Sequence, residues 1–294
     1  MQENILDMRI HSNQLSSILS FYQSELFSLY SPEECESLFY WSCEEILGNT
    51  RIYWRTHLSQ AVSESVLLKF NFTVKDLKKH KPIQYIFHKA YFYDLSLYVD
   101  ETVLIPRPET EELLHWIFQE YREKAPSKCI DLCTGSGCIA LSLKSKFPNA
   151  SIEGMDLSSQ ALSVAQKNSV QLNLHPLWIQ ANLLEGNWVL DSTFDLIVSN
   201  PPYVRLSEQA LMNPNVLDYE PALALFVSDQ DPLIFYRAIA RFAKKHLHKK
   251  GFVYLEINEA LGKECTQLFC DYGFTQIELR KDMQNKDRML RIGF

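Results

Sequence analysis

The chain has 294 residues, 46% of them apolar and 22% charged, with a formal net charge of −7 and a pI near 5.7. That length leaves room for two domains or one large one, and the composition is that of a soluble globular protein, neither disordered nor fibrous. The acidic balance argues against wholesale electrostatic attraction to DNA or RNA, so no stable nucleic-acid partner is expected. Seven cysteines, an odd number with no Cys-x-x-Cys pair, read as reduced thiols. Cys133 and Cys138, which flank a glycine loop, read as small hydrophobes. The opening Met1-Gln2-Glu3-Asn4-Ile5-Leu6-Asp7 lacks a basic n-region, and no apolar run approaches the roughly 18 residues of a membrane span. A cytoplasmic protein without a membrane partner is expected.

From Ile5 to about Leu77 apolar residues recur at helical spacing (Leu15, Ile18, Leu19, Tyr22, then Leu38, Phe39, Trp41, Ile46, then Val62, Val66, Leu67, Phe70), which predicts a small helical bundle. Ser31-Pro32-Glu33-Glu34 is a helix start, with Ser as N-cap, Pro at the first position and acids in the first turn. Trp41 and Trp54 read as core, and the lysines before Pro82 as a solvated face. Beyond Pro82 two short runs, Tyr91 to Val99 and Val103 to Ile105, are rich in strand formers and predict a β-hairpin. Pro106-Arg107-Pro108-Glu109-Thr110-Glu111 then opens an amphipathic helix. A helix cap and a Pro-braced Arg and Glu at the mouth of a site are both compatible with that loop.

Cys129 to Leu132 is a short strand running into Cys133-Thr134-Gly135-Ser136-Gly137-Cys138, a glycine turn that opens a helix, and Ser151 to Asp156 is a second strand ending in a carboxylate. Glycine loop and placed acid together are the pattern by which an open α/β sheet holds a nucleotide-type cofactor, with the acid accepting from two ribose hydroxyls. The helix behind the loop favours an anionic group, whether pyrophosphate or carboxylate. NAD satisfies these features. S-adenosylmethionine is favoured by Asp131, able to face a cationic ammonium or sulfonium, and by Asn200-Pro201-Pro202-Tyr203, which suits an amine better than a hydride acceptor. Between the two lie a helix from Ser158 to about Asn173, a strand Leu177 to Gln180, and Asn182, placed to meet an adenine amine.

The apolar strand Phe194 to Ser199 ends in Asn200-Pro201-Pro202-Tyr203. The plainer reading is a strand and then a Pro-Pro turn. In the sharper one, Pro201 forces Asn200 out of the α region and neither proline donates, so a carboxamide, a carbonyl and a ring meet at the carboxyl end of a strand. Asn200 Oδ1 and the Pro201 carbonyl then each accept one hydrogen of a planar NH2 group while Tyr203 covers its π-face. A loop of about fifteen residues, long enough for a substrate lid, leads to Glu220-Pro221. Asp231-Pro232 caps a helix running to Lys250-Gly251 with a cationic last turn, His246 and His248 read as solvated with no metal partner, and Phe252 to Ile257 is another buried strand. A helix from Glu259 to Cys270 and an antiparallel pair, Phe274 to Leu279 with Met289 to Ile292, complete a doubly wound, mostly parallel sheet.

Together these motifs closely resemble the class I S-adenosylmethionine-dependent methyltransferases, and within them the peptide chain release factor glutamine methyltransferases. The resemblance covers roughly Pro82 to Phe294 and rests on Pro82-Ile83-Gln84-Tyr85-Ile86, Leu104-Ile105-Pro106-Arg107-Pro108-Glu109-Thr110-Glu111, the glycine loop, Asn200-Pro201-Pro202-Tyr203, Glu220-Pro221 and Asp287-Arg288. It implies a Rossmann-like α/β domain over 107–294, a β-hairpin linker over 85–106 and a helical substrate-recognition domain over 1–84. It further implies S-adenosyl-L-methionine as cofactor, bound by Cys133, Thr134, Gly135, Ser136, Gly137, Asp156, Asn182, Leu183 and Asn200. The implied reaction methylates the glutamine amide of the Gly-Gly-Gln loop of release factors 1 and 2, with Asn200 and Pro201 catalytic and Pro202 and Tyr203 completing the substrate clamp. A ribosomal-protein glutamine and a nucleic-acid adenine N6 are the alternative acceptors. The chain departs from the family pattern at Cys133 and His88, which replace glycines, at Ser228, which replaces a loop glycine, and at Asn182 and Leu183, which replace an acid and an aromatic ring.

Overall fold

The computed structural model describes residues 10, 12–186, 188 and 192–294, so the opening stretch Met1 to Asp7 lies outside the described residues. The chain divides into two compact units, one formed by the chain up to Phe87 together with Pro214–Tyr219 and the other by His88–Asn213 with Glu220–Phe294. The first unit is helical: α1 (Leu15–Leu26), α2 (Pro32–Leu47), α3 (Arg51–Thr56), α4 (Glu64–Leu77) and the single turn α5 (Ile83–Ile86). α2 starts where Ser31 and Glu34 form a reciprocal capping box, Ser31 Oγ accepting from Glu34 N and Glu34 Oε2 from Ser31 N. Its core is aromatic. Tyr22 packs edge-on against Phe39 and Phe70, and its hydroxyl donates to Ser42 Oγ, so the one polar atom of that cluster is satisfied. Trp54 is buried with Nε1 donating to the Gly48 carbonyl at 2.6 Å, whereas Trp41 is only half-buried at the edge.

The second unit opens with a hairpin, β1 (Ala90–Phe92) and β2 (Leu95–Leu97), paired antiparallel with Phe92 opposite Leu95. The turn therefore falls inside the first strand-forming run, at Tyr93-Asp94, where Tyr93 takes a left-handed backbone with φ +53°. Val103 to Ile105, expected as the second hairpin strand, is not a strand and is instead the approach to α6 (Pro108–Glu120).

The rest alternates strand and helix: β3 (Lys128–Leu132), α7 (Cys138–Lys146), β4 (Ser151–Asp156), α8 (Ser159–Leu172), β5 (Leu177–Gln180), β6 (Phe194–Ser199), β7 (Val204–Arg205), α9 (Pro214–Leu217), β8 (Phe226–Val227), α10 (Ile234–His246), β9 (Leu247–Glu256), α11 (Gly262–Asp271), β10 (Gln276–Lys281) and β11 (Asp287–Gly293). α9 groups with the helical unit, where the Tyr219 hydroxyl donates to the Lys79 carbonyl. Seven strands form one sheet in the order β10-β11-β9-β6-β3-β4-β5, parallel from β5 through β9, with β11 antiparallel to both of its neighbours. β7 and β8 make a separate two-stranded parallel ladder that brings together the two ends of the long loop after β6.

Two further expectations are corrected beyond the hairpin. The helix expected to run to Lys250 ends at His246, and Leu247 to Lys250 are the outer part of β9. Gly251 is accordingly a strand residue and not a helix terminator. A Cβ there would lie 2.7 Å from the Asp195 carbonyl, so glycine is required by the close approach of β6. His246 is buried, not solvated. Its ring lies against Phe242, 4.7 Å between centroids, with Nδ1 3.1 Å from the Ser192 carbonyl.

Candidate functional site

Strand order reverses between β3 and β6: from β3 the chain winds outward through β4 and β5, then restarts on the other side through β6 and β9. Such a switch point leaves a crevice at the carboxyl ends of the strands. The register decides what stands around it. Leu132 pairs with Met155 and with Ser199, and Ser199 pairs with Leu255. The next residue along each strand is therefore Cys133, Asp156, Asn200 or Glu256, and these four stand side by side at the sheet end. A cavity of about 420 Å³ opens there, walled by Cys133, Gly135, Asp156 and Asn200, by the approach loop Glu101 to Leu104 and by Pro221 to Ala224. Its floor is apolar, from Met155, Ala161, Leu183 and Phe235.

The glycine loop is held from beneath. Asp131 is fully buried, and its Oδ2 accepts from Thr134 Oγ1 and from Ala140 N at 3.2 Å. Asp131 thus ties the loop to the first turn of α7 and does not stand on the cavity wall, in contrast to the cation-facing position expected from the sequence. Burial pushes its carboxyl up to about 7, and Oδ1 has no hydrogen-bond partner among the described residues. Cys133, the first family departure, has φ +61°, a left-handed conformation that costs a residue with a Cβ about 1–2 kcal/mol. His88, the second, has φ +51° and is braced by stacking on Tyr98. Both replacements thus keep a backbone that glycine adopts more readily.

Gly137, at φ +81°, has a different duty. A Cβ there would lie 2.8 Å from Trp178 Cη2 and 3.1 Å from the Ala165 Cβ, so Gly137 lets α7 pack down on β5 and α8. Gly137→Ala is expected to destabilise the protein by about 2–4 kcal/mol through strain plus overpacking. Urea unfolding measures this, and a loss below about 0.5 kcal/mol would show that the packing is slack.

Asp156 ends β4 on the cavity wall, its Oδ2 accepting from Gly135 N at 2.8 Å and Oδ1 from Ser158 N at 2.9 Å. These bonds fix the carboxylate plane and leave each oxygen a further lone pair. Burial raises its pKa, and the backbone N–H donors only partly oppose that rise. Asn182 reaches the wall, but its side chain is engaged in its own turn, Oδ1 accepting from Leu184 N at 3.0 Å and Nδ2 donating to Glu185 Oε1 at 3.1 Å. Leu183 beside it is buried and presents apolar surface.

Around Asn200 a chain of bonds sets the direction of the carboxamide. Asn200 Nδ2 donates to Thr110 Oγ1 at 3.0 Å, the Thr110 hydroxyl donates to Glu256 Oε2 at 2.6 Å, and the Tyr203 hydroxyl donates to Glu256 Oε1 at 2.8 Å. With Nδ2 turned to Thr110, Oδ1 is the acceptor that the side chain offers a ligand. Burial drives the Tyr203 phenol pKa well above its ordinary value, so it stays a donor. Arg107 pairs with the buried carboxylate of Glu220, which also accepts from Ile105 N at 3.2 Å. This pair anchors the start of the Pro221 to Ala224 wall onto the loop before α6.

Of the residues singled out in the sequence, the cavity wall holds Cys133, Gly135, Asp156, Asn182, Leu183, Asn200 and Pro202. Thr134, Ser136, Gly137, Pro201 and Tyr203 do not line this cavity: Thr134 and Ser136 are buried within the loop, and Tyr203 is fixed at its hydroxyl by Glu256 and at its carbonyl by Asn258. Sequence reading misses Glu256 and the duty of Thr110. The available signal is an acid ending a buried apolar run, Phe252-Val253-Tyr254-Leu255-Glu256, at the level of the clamp. Among the described residues no group of three or more His, Cys, Asp or Glu side chains could hold a metal ion, and no helix is long and apolar enough to cross a membrane.

Comparison with known proteins bears on the same residues. Positions 111–215 match the Methyltransferase small domain family. The chain is 43% identical over 272 residues to the release factor glutamine methyltransferase of Flavobacterium psychrophilum, covering 92% of this chain and 95% of that one. It is 36% identical over 276 residues to the protein of the same name from Bacteroides thetaiotaomicron, covering 94% and 99%. Among solved structures, a T. thermophilus 16S rRNA N2 methyltransferase in complex with AdoMet and guanosine superposes with a TM-score of 0.50 at 16% identity, covering 70% of this chain and 50% of that one, a likeness of fold alone. Identity of this size, running through the helical unit as well as the sheet, leaves one assignment: the chain belongs to the release factor glutamine methyltransferase family.

Proposed function

We propose that this protein transfers the methyl group of S-adenosyl-L-methionine to the side-chain amide nitrogen of the glutamine in the Gly-Gly-Gln motif of peptide chain release factors 1 and 2. The observation that carries the reading is the Asn200 carboxamide on the cavity wall, one N–H of its NH2 given to Thr110 and its oxygen left to accept. The residues present fit the cofactor. The cavity volume lies within the range of small-molecule sites, an oriented carboxylate at Asp156 suits a ribose diol, and Leu183, Met155 and Ala161 offer apolar surface to a flat ring. When bound, S-adenosylmethionine supplies an electrophilic methyl group on a positively charged sulfur.

The chain's own residues do the rest. Asp156 would accept from the ribose hydroxyls, the loop from Cys133 to Gly137 would hold the amino-acid end, and Leu183 beside Asn182 would offer apolar surface to the adenine. Asn200 Oδ1 and the Pro201 carbonyl accept the two hydrogens of the glutamine NH2 and fix its plane, while Pro202 and the anchored ring of Tyr203 limit where that plane can sit. An amide nitrogen is a poor nucleophile because its lone pair is conjugated, so orientation and the electron density added by two acceptors carry the catalysis. No strong base is required before attack. The helical unit recognises the remainder of the release factor, and the reaction is cytoplasmic.

Mass spectrometry of release factor incubated with enzyme and cofactor tests the reading: one added methyl on the Gly-Gly-Gln glutamine is expected. Unmodified release factor beside a methylated ribosomal protein would overturn it. An adenine N6 acceptor is disfavoured by the net charge of −7 and by the acidic run Glu109-Thr110-Glu111-Glu112 in the first turns of α6. S-adenosylhomocysteine is expected to raise the melting temperature and NADH is not; the reverse would assign the cavity to a nicotinamide.

A further inference from the structure

The clamp works only with Asn200 turned one way, and a carboxamide does not choose a way by shape. Its oxygen and its NH2 are nearly the same size, so rotation about the last side-chain bond exchanges an acceptor for a donor at almost no steric cost. Something outside Asn200 must make the choice. We propose that Thr110 and Glu256 are positioning residues that fix the polarity of the Asn200 carboxamide; this deepens the proposed function and rests on it.

A threonine hydroxyl next to Asn200 settles nothing by itself, since it both donates and accepts. It becomes an acceptor toward Asn200 because its single proton is already given away, to Glu256 Oε2 at 2.6 Å. Glu256 is buried, and its other oxygen takes the Tyr203 hydroxyl at 2.8 Å. Both Glu256 oxygens are thus taken up as acceptors, one from each hydroxyl. Direction therefore runs one way along the chain: from Glu256 through the Thr110 hydroxyl to Asn200 Nδ2, which leaves Oδ1 for the substrate. The same carboxylate holds Tyr203, so both polar side chains of Asn200-Pro201-Pro202-Tyr203 are keyed to one group on the neighbouring strand.

The placement follows from the fold. Glu256 comes directly after Leu255, which pairs with Ser199, so the two strand ends bring it beside Asn200. Thr110 lies in the first turn of α6, where the prolines at 106 and 108 fix the approach of the chain. That geometry gives a physical reason for the Pro-Arg-Pro-Glu-Thr-Glu loop and the Asn-Pro-Pro-Tyr turn to occur in one protein: the first supplies the hydroxyl that orients the second.

The test uses the full-length enzyme and release factor, with kcat, KM, S-adenosylhomocysteine affinity and melting temperature measured for Thr110→Val, Thr110→Ser and Glu256→Gln. Thr110→Val keeps the shape and removes the hydroxyl; kcat is expected to fall about tenfold or more, with KM and S-adenosylhomocysteine affinity within about threefold. Thr110→Ser restores the hydroxyl and is expected to recover kcat to within about threefold of the parent. Glu256→Gln, which cannot accept from both hydroxyls in the original arrangement, is expected to lower kcat as Thr110→Val does, and it decides the matter should the valine variant not fold. Parental kcat in Thr110→Val or in Glu256→Gln overturns the inference, as does a serine variant as slow as the valine one. Absence of glutamine methylation by the parent enzyme is distinguishable, since it overturns the proposed function itself and the inference with it.

Discussion

Asn200→Ala is expected to lower turnover on the release-factor glutamine about 100-fold or more while leaving S-adenosylhomocysteine affinity within a few-fold. The side chain contributes one preorganised acceptor to the reacting nitrogen, and losing such a contact in a water-poor site typically costs roughly 3 kcal/mol of barrier, about two orders of magnitude. The fold should tolerate the change. Asn200 is only half-buried and its side chain bonds to Thr110, whose hydroxyl keeps Glu256 as a partner. The cofactor cavity keeps its floor, because Met155, Ala161 and Leu183 are untouched. Single-turnover rates with calorimetric titration of S-adenosylhomocysteine separate the two effects, and a variant that turns over at the parental rate would remove Asn200 from the chemistry.

Asp156→Ala should do the opposite, weakening cofactor binding about 100-fold. In the parent protein the carboxylate is oriented before any ligand arrives, by Gly135 N on one oxygen and Ser158 N on the other. Two hydroxyl donors to an ionised acceptor contribute about 1.5 kcal/mol each at the low end, so removing both costs about 3 kcal/mol, two orders of magnitude. The substitution also strands the Gly135 N–H, and the loop that carries Cys133 loses one of its ties to β4. Calorimetry reads the affinity, and kcat at saturating cofactor should stay within about threefold because the clamp lies on another strand. A change of less than about fivefold in affinity would mean that the ribose is held elsewhere.

The parts legible in the sequence are those where local chemistry and tertiary demand agree. The run Phe194 to Ser199 is apolar because β6 is central and covered on both faces, and Pro201 must end it whatever surrounds it. Ser158 caps α8 with a bond to Ala161 N, a local interaction that needs no partner strand. Misreadings arise where packing overrides local preference. The lysine-rich stretch from Lys244 reads as a helix end, yet Leu247 opposes Phe194 in β9, and the ladder takes the chain before the helix can continue. His246 looks solvated among lysines, but it is the last residue of α10 on the face that meets Phe242.

Within the site, single residues at strand ends are readable and their partners across the sheet are not. Asp156 and Asn200 announce themselves by closing apolar runs, whereas the bond from Thr110 to Glu256 joins residues 146 positions apart in sequence. Only strand register brings such a pair together. The same holds for Arg107 and Glu220, both visible as motif residues, whose mutual pairing shows only in the fold. Cys133 is the opposite case: the replacement is plain in the sequence, and what the structure adds is its left-handed backbone.

A structure of the protein with S-adenosylhomocysteine and a Gly-Gly-Gln peptide reads the clamp directly. The expected result is the glutamine side-chain nitrogen within about 3 Å of Asn200 Oδ1 and of the Pro201 carbonyl, with Nδ2 still on Thr110 and the nitrogen facing the sulfur. A peptide seated with its glutamine carbonyl against Asn200 Nδ2, or with its nitrogen turned away from the sulfur, would contradict it.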